Sequence, residues 1–280
     1  MAASSHFRTE IWTGPGPVDD DWLSEAASFF SQNYGIWSPL ATSKIGKTPG
    51  SRVKMSPKRL KEAIIPPGGA NLYVRMIEEE TGKLVGHVFA TTWTAFDPDS
   101  SDDSDNHLET HLWITQLCVH REYRSQGIAK QLLDTVKYTH WNEGIRGVGI
   151  LSSHPFALSA VLSVFGQGLD RERVQDDLMY IKEQARKMME SCPVEYVRCA
   201  KVRGTLFEEE NRSGERCANG DGKTEAGIVS CADTGFWVDH GEPEEALRLL
   251  EGKGVKWPFG NLPDGCEFLV IVKSRRAFAR

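Results

Sequence analysis

Apolar and polar residues alternate from Phe7 to Thr13, the two-residue period of a half-buried strand. Gly14-Pro15-Gly16-Pro17 ends that run. From Asp19 the period lengthens. Trp22, Ala26, Phe29 and Phe30 return on one face, and Asp residues at the start complement the helix dipole, which predicts a helix over 19–33. Residues 34–69, rich in Ser, Pro, Gly and Lys, read as loop with a short helix over 57–64. Two strand-like runs, 71–77 and 83–94, flank the hairpin signal Thr81-Gly82. Residues 97–105 carry five Asp and no hydrophobe, the pattern of a solvated loop. A long strand is expected over 108–119. A helix over 127–141 follows, with Ile128, Leu132, Leu133 and Val136 on one face, then a strand over 148–151 and a helix over 155–165 opened by Pro155.

The second half is less regular. Residues 170–190 predict an amphipathic helix with Val174, Leu178, Ile181, Ala185, Met188 and Met189 on its apolar side. A strand is expected over 194–202, a mobile polar loop over 208–227, and strands over 228–238 and 267–273. Between the last two lie a helix over 243–250 and a turn-rich stretch over 256–265. No internal repeat is visible. The alternation of strands and helices predicts an α/β (α+β) layout with a mixed sheet.

Composition narrows the class. A net charge of −6 argues against nucleic acid as the main partner, because phosphate binding draws on clustered Lys and Arg. The six cysteines show neither C-x-x-C nor zinc-finger spacing, so they read as reduced thiols of an intracellular protein, with no metal site. The first residues lack the basic and apolar regions of a secretion signal, and no apolar run approaches the ~18 residues of a spanning helix. The expectation is a soluble protein of the cytoplasm, with the nucleus left open and no membrane partner.

The chemistry concentrates in Leu117-Cys-Val-His-Arg-Glu-Tyr-Arg124-Ser-Gln-Gly127-Ile-Ala129-Lys-Gln-Leu-Leu133. A strand end, a polar turn and Arg-x-x-Gly-x-Ala opening an apolar helix place unpaired backbone N–H groups where an anion can meet them. Gly127 and Ala129 are small enough for a phosphate to approach the backbone, and His120, Arg121, Arg124 and Lys130 add donors or positive charge, offset by Glu122. A pyrophosphate suits this place. The structural alternative is a helix whose Gly and Ala serve close packing. The chain has no Gly-x-x-x-x-Gly-Lys-Ser/Thr and no Gly-x-Ser-x-Gly.

This stretch resembles the acyl-CoA-binding motif of the GNAT N-acetyltransferases, Arg/Gln-x-x-Gly-x-Gly/Ala after a strand, with Arg124, Gly127 and Ala129 at the motif positions. The likeness extends over residues 72–168, about a third of the chain, and includes Gly147-Val-Gly-Ile-Leu-Ser152 where the family has its next strand. The wording of the turn also looks like the arylalkylamine acetyltransferases. The resemblance implies a single domain over 1–280 with a mixed, mostly antiparallel central sheet, helices on both faces, and 170–227 as an inserted helix plus loop. It implies acetyl-CoA as co-substrate, held by Leu117, Cys118, Val119, Arg124, Ser125, Gln126, Gly127, Ile128, Ala129 and Lys130, and an amine as acceptor. The main chain of Leu117 and Val119 would pair with the pantetheine arm, and a donor near Cys118 would polarise the thioester carbonyl.

N-acetylation needs a neutral amine, and a lysine-like amine with a pKa of about 10.4 is mostly protonated at neutral pH. A base must therefore take a proton. The family's tyrosine is missing from the helix 155–165, and the strand positions where a base often lies hold Trp113 and Thr115. Three candidates are carried forward: Glu109 and His111, on one strand face with Trp113, and His154, just past a strand end. Asp239-His240, at the end of a late strand, is a further candidate. For each, the alternative is a structural polar residue. Cys118 reads as a buried thiol, since direct transfer needs no nucleophile. The inserted helix would cover the acceptor cleft or form a homodimer contact. The competing functions are an acyl-CoA sensor without catalysis and a protein-interaction module.

Overall fold

The computed structural model describes residues 6–14, 18–96, 108–140, 144–169, 174–208 and 227–274. The Asp-rich run and most of the polar loop over 208–227 therefore lie outside the described residues. Strand β1 (Phe7–Thr13) leads to α1 (Asp20–Asn33), α2 (Ala41–Ile45) and α3 (Pro57–Ile64). Strands β2 (Ala70–Glu78), β3 (Leu84–Phe96) and β4 (Leu108–Val119) follow, then α4 (Ile128–Thr139), β5 (Ile145–Ser152) and α5 (Pro155–Phe165). The chain continues through α6 (Val174–Ser191), α7 (Glu195–Cys199), β6 (Lys201–Arg203), β7 (Cys231–Asp233), α8 (Gly241–Gly252) and β8 (Cys266–Lys273). These strands form one eight-stranded sheet in the order β1-β2-β3-β4-β5-β8-β7-β6. Only β4 and β5 pair in parallel; every other neighbouring pair is antiparallel. The fold is thus mixed α/β with a mostly antiparallel sheet, as expected.

Local chemistry explains the helix starts. Asp19 caps α1, its carboxylate accepting from the N–H groups of Asp21 at 2.9 Å and Trp22 at 3.1 Å. Ser56 caps α3 ahead of Pro57, and His154 caps α5 ahead of Pro155. The apolar faces of α4, α5 and α6 meet the sheet in one continuous core, which includes Leu132, Val136, Leu158, Leu162, Ile181 and Met188. Helices α1 and α3 cover Tyr73 and Phe89 in a second cluster.

Two expectations are corrected. The predicted strand over 194–202 is a helical turn, α7, followed by the short β6. Buried Val194 and Val197 are three apart and Arg198 N–H donates to Val194 C=O at 3.0 Å, so the spacing is helical rather than alternating. The predicted strand over 228–238 survives only as β7, because Thr234 and Gly235 turn the chain, Gly235 with φ +65°. The helix predicted over 170–190 is present as α6, with its apolar side buried in the main core.

The central feature for function is a split in the sheet. Strands β4 and β5 pair from Thr110 with Ile145 to Ile114 with Ile150, and then part. The parting coincides with a bulge: Phe89 pairs with Gln116 and Ala90 with Ile114, leaving Thr115 as the extra residue of β4. Beyond it, Gln116–Val119 pair only with β3, and Leu151–Ser152 only with β8. Just before the split, the Trp113 ring lies over Gly149, where an added Cβ would stand 2.2 Å from it. Trp113 is therefore core, packed where only glycine leaves room.

Candidate active site

A cleft of about 590 Å³ opens at the split. Its floor is the end of β4, with Leu117, Cys118 and Val119. One wall is the turn and first residues of α4: Tyr123, Arg124, Ser125, Gly127, Ile128, Ala129 and Lys130. The facing wall is Ser152, His154 and α5, and α1 ends in the cleft at Asn33 and Tyr34.

Gly127 is the N-cap of α4 with φ +81°, so a residue with a Cβ would be strained there although the space beside it is open. Having no side chain, it makes no side-chain cap bond to the first turn, and among the described residues no other side-chain acceptor is seen there. The N–H groups that open α4 therefore face the cleft as an anion site. Ser125 also has positive φ, +61°, which curls the turn around the same point.

The sequence candidates separate clearly. Of the ten residues expected to hold the co-substrate, nine line this cleft. Gln126 does not, because its amide turns back to donate to Glu122 C=O at 3.0 Å. His154 lines the cleft, with Nδ1 accepting from Phe156 N–H at 3.3 Å and Nε2 turned toward Glu242 Oε1 at 3.8 Å. Burial, helped by nearby Arg124 and opposed by Glu242, pushes its pKa down to about 4, so the ring is neutral near pH 7. Glu109 and His111 are not brought to the cleft. A strand rises about 3.3 Å per residue, which leaves His111 roughly 23 Å from Cys118 along β4. Glu109 pairs with Arg146 at 3.1 Å, and His111 is buried beside Trp93, ring centroids 5.5 Å apart. His240 precedes α8 and is also absent from the cleft lining. Burial pushes the Cys118 thiol up to about 12, with Arg124 opposing, so it stays protonated and is no nucleophile.

Two acidic residues were not legible as site residues. Glu242, in the first turn of α8, enters the cleft and pairs with Arg124 and, at 3.1 Å, with Arg121. Arg124 also donates to Asn33 C=O at 2.8 Å, tying α1, the turn and α8 together. Glu267, on β8, is buried near the hydroxyl of Tyr34, and burial raises its carboxyl to about 7 against a hydrogen bond from Thr234 that lowers it. Tyr34 is pushed well above the usual phenol range, first by burial and then by the Glu267 charge. Only an alternating strand with an acid at an inward position hinted at Glu267; nothing local marks Glu242.

Among the described residues, no group of three or more His, Cys, Asp or Glu could hold a metal ion, and no helix is long and apolar enough to cross a membrane. The observed arrangement is a mixed α/β sheet split beside an uncapped helix N-terminus. Residues 48–159 match the Acetyltransferase (GNAT) family. Solved structures are similar at low identity. Arylalkylamine N-acetyltransferase 2 from Aedes aegypti matches 59% of this chain and 89% of its own at 13% identity, with a TM-score of 0.36. N-myristoyltransferase of Saccharomyces cerevisiae with bound myristoyl-CoA matches 52% of this chain and 29% of its own at 18% identity, with a TM-score of 0.37. No curated protein sequence matches the chain significantly.

Proposed function

We propose that this protein is an N-acetyltransferase that moves an acetyl group from acetyl-CoA directly to a primary amine. The observation that carries the reading is the uncapped N-terminus of α4, at Gly127 with φ +81°, opening into the cleft where β4 and β5 part. The residues fit the co-substrate. The first-turn N–H groups of α4, with Arg121, Arg124 and Lys130 nearby, would meet a pyrophosphate. The end of β4, free of β5 beyond Thr115, offers main-chain groups to an extended pantetheine arm. Bound there, acetyl-CoA supplies the activated acyl carbon.

The chain's own residues supply position and proton control. A protonated Cys118 leaves direct attack by the amine as the route rather than a thiol-bound acyl step. His154, neutral and at the cleft wall, serves as a secondary proton relay; Glu109 and His111 are too distant to take part. Residues 48–159 and the fold support an acyltransferase over an interaction module, and the cytoplasm remains the compartment we propose.

The test is calorimetric titration of coenzyme A into the wild type and Gly127→Asp, alongside thiol release from acetyl-CoA in the presence of mixed amines. Asp tolerates positive φ better than most residues, so the variant should fold while its carboxylate repels the pyrophosphate. We expect wild-type binding and its loss in the variant. Equal affinities would remove the site assignment, and binding without thiol release would favour the acyl-CoA sensor.

A further inference from the structure

Beyond the split, β8 carries a buried carboxyl, Glu267, that is not among the residues lining the co-substrate cleft. Glu267 sits on β8 one residue before Phe268, which pairs with Ser152, the last residue of β5 and part of the cleft lining. Strand alternation turns Glu267 to the same face as Leu269 and Ile271, and it is 7% exposed. Tyr34 belongs to both regions. It lines the cleft, and its hydroxyl is hydrogen-bonded by Ser153 and close enough to Glu267 to feel its charge. Tyr196, on α7, also feels Glu267, and its hydroxyl donates to Thr115 C=O at 3.0 Å, at the bulge where the strands separate. Strand β8, the end of α1 and α7 thus bring a carboxylate and two phenols to the back of the split.

A buried carboxylate ordinarily has a cationic partner. Among the described residues Glu267 has none: Thr234 is its hydrogen-bonding partner, and the other titratable groups facing it are the phenols of Tyr34 and Tyr196. The two phenols remain protonated, since burial raises both. A buried carboxyl that the fold leaves without a cation is matched to a substrate that brings one. Resting on the acetyltransferase reading above, we infer that Glu267 binds the acceptor as its ammonium and is the general base for its acetylation. This makes the acceptor a cationic primary amine approaching from the α7 side, opposite the anion site of α4.

The balance is simple. The Glu267 carboxylate takes one proton from the ammonium, freeing the nitrogen lone pair. The N–C bond forms as the C–S bond breaks, and the nitrogen's second proton goes to the departing thiolate, giving amide and thiol. Glu267 then returns its proton to water. The Tyr34 hydroxyl, keeping its own proton, donates a hydrogen bond across the boundary between the two sites and is a positioning residue.

The experiment compares wild type with Glu267→Gln, which keeps the shape and the bond to Thr234. Coenzyme A affinity is measured by calorimetry, thiol release is followed with n-butylamine, phenethylamine and putrescine across pH 5.5–9, and thermal stabilisation by n-butylammonium is read at saturating coenzyme A. We expect unchanged coenzyme A affinity, a rate loss of roughly 10² to 10⁴, and disappearance of a rate limb that rises through about pH 7 in the wild type. Stabilisation by n-butylammonium should also vanish in the variant. Glu267→Asp should recover part of the rate and the limb, which a purely structural role would not produce. Equal responses of wild type and Glu267→Gln to the amines, including none in either, overturn the assignment. Failure of coenzyme A to bind the wild type instead sinks the reading on which it rests.

Discussion

Burial acts in opposite senses on Glu267 and His154, and each sense can be measured. Glu267 ionises at about 7 when folded against an ordinary 4.5, so the folded state resists its ionisation. A carboxyl raised in this way costs nothing below its unfolded pKa. The penalty grows as pH rises from about 4.5 and is complete above about 7, on the order of 3 kcal/mol at most. Glu267→Gln should therefore melt higher than wild type at pH 8 and at the same temperature at pH 4; scanning calorimetry at the two values checks it. His154 is the reverse: with its pKa at about 4 it carries no proton change between pH 6 and 9. His154→Ala should cost less than tenfold in rate and leave the limb near pH 7 in place, as a rate–pH profile will show. The motif residues Arg124, Gly127 and Ala129 were legible because their chemistry is local, a turn meeting a helix start. Glu267 was not, because what singles it out is burial and a missing cation, both properties of the assembled fold.

At the scale of elements, α8 changes the cleft most. Its first turn carries Glu242 onto Arg121 and Arg124, 118 residues away in sequence from Arg124, so no reading of local pattern could have joined them. The elements that were legible had strong periods and marked ends: Phe7–Thr13, Leu108–Val119 and Pro155–Phe165 appear where the sequence placed them. Those that were misread, 194–202 and 228–238, are short apolar stretches whose shape is decided by neighbours rather than by their own period. Glu242 has a direct consequence for binding. Its carboxylate engages the same guanidinium groups that would attract a pyrophosphate, so Glu242→Gln should tighten coenzyme A binding by roughly two- to fivefold, the ~0.5–1 kcal/mol of a partly exposed ion pair. Calorimetry at low and high salt is the measurement. The gain should shrink as salt rises, because screening weakens the carboxylate's competition. Unchanged affinity at low salt would mean that Glu242 only anchors α8.

The whole molecule is knitted by its last described strand. Strand β8 lies between β5 and β7, so the C-terminal part of the chain completes the sheet begun at the N-terminus. Helix α6, read from sequence as an insertion beside the core, packs on β8 and buries Val174, Leu178, Ile181, Ala185, Met188 and Met189. The sequence told its amphipathic period correctly but not what the apolar side would meet, since β8 comes about eighty residues later. This arrangement predicts one cooperative unit rather than a catalytic core with a detachable helix. Ile181 is completely buried, and cutting a buried isoleucine to alanine typically costs about 2–5 kcal/mol. In a chain of this size each kcal/mol moves the melting temperature by about 2–4 °C, so Ile181→Ala should melt roughly 5–15 °C lower. The loss should come as a single transition, seen together by far-ultraviolet circular dichroism and by tryptophan fluorescence. The fluorescence is informative because Trp22 packs with α1 and α3, while Trp93 and Trp113 lie in the same core as α6. If the circular dichroism showed an early partial loss of helix while the tryptophan transition stayed at its wild-type temperature, α6 would be an appendage. If both moved down together, the helix belongs to the sheet that holds Glu267 and the split strands in place, and the proposed acceptor side of the site depends on it.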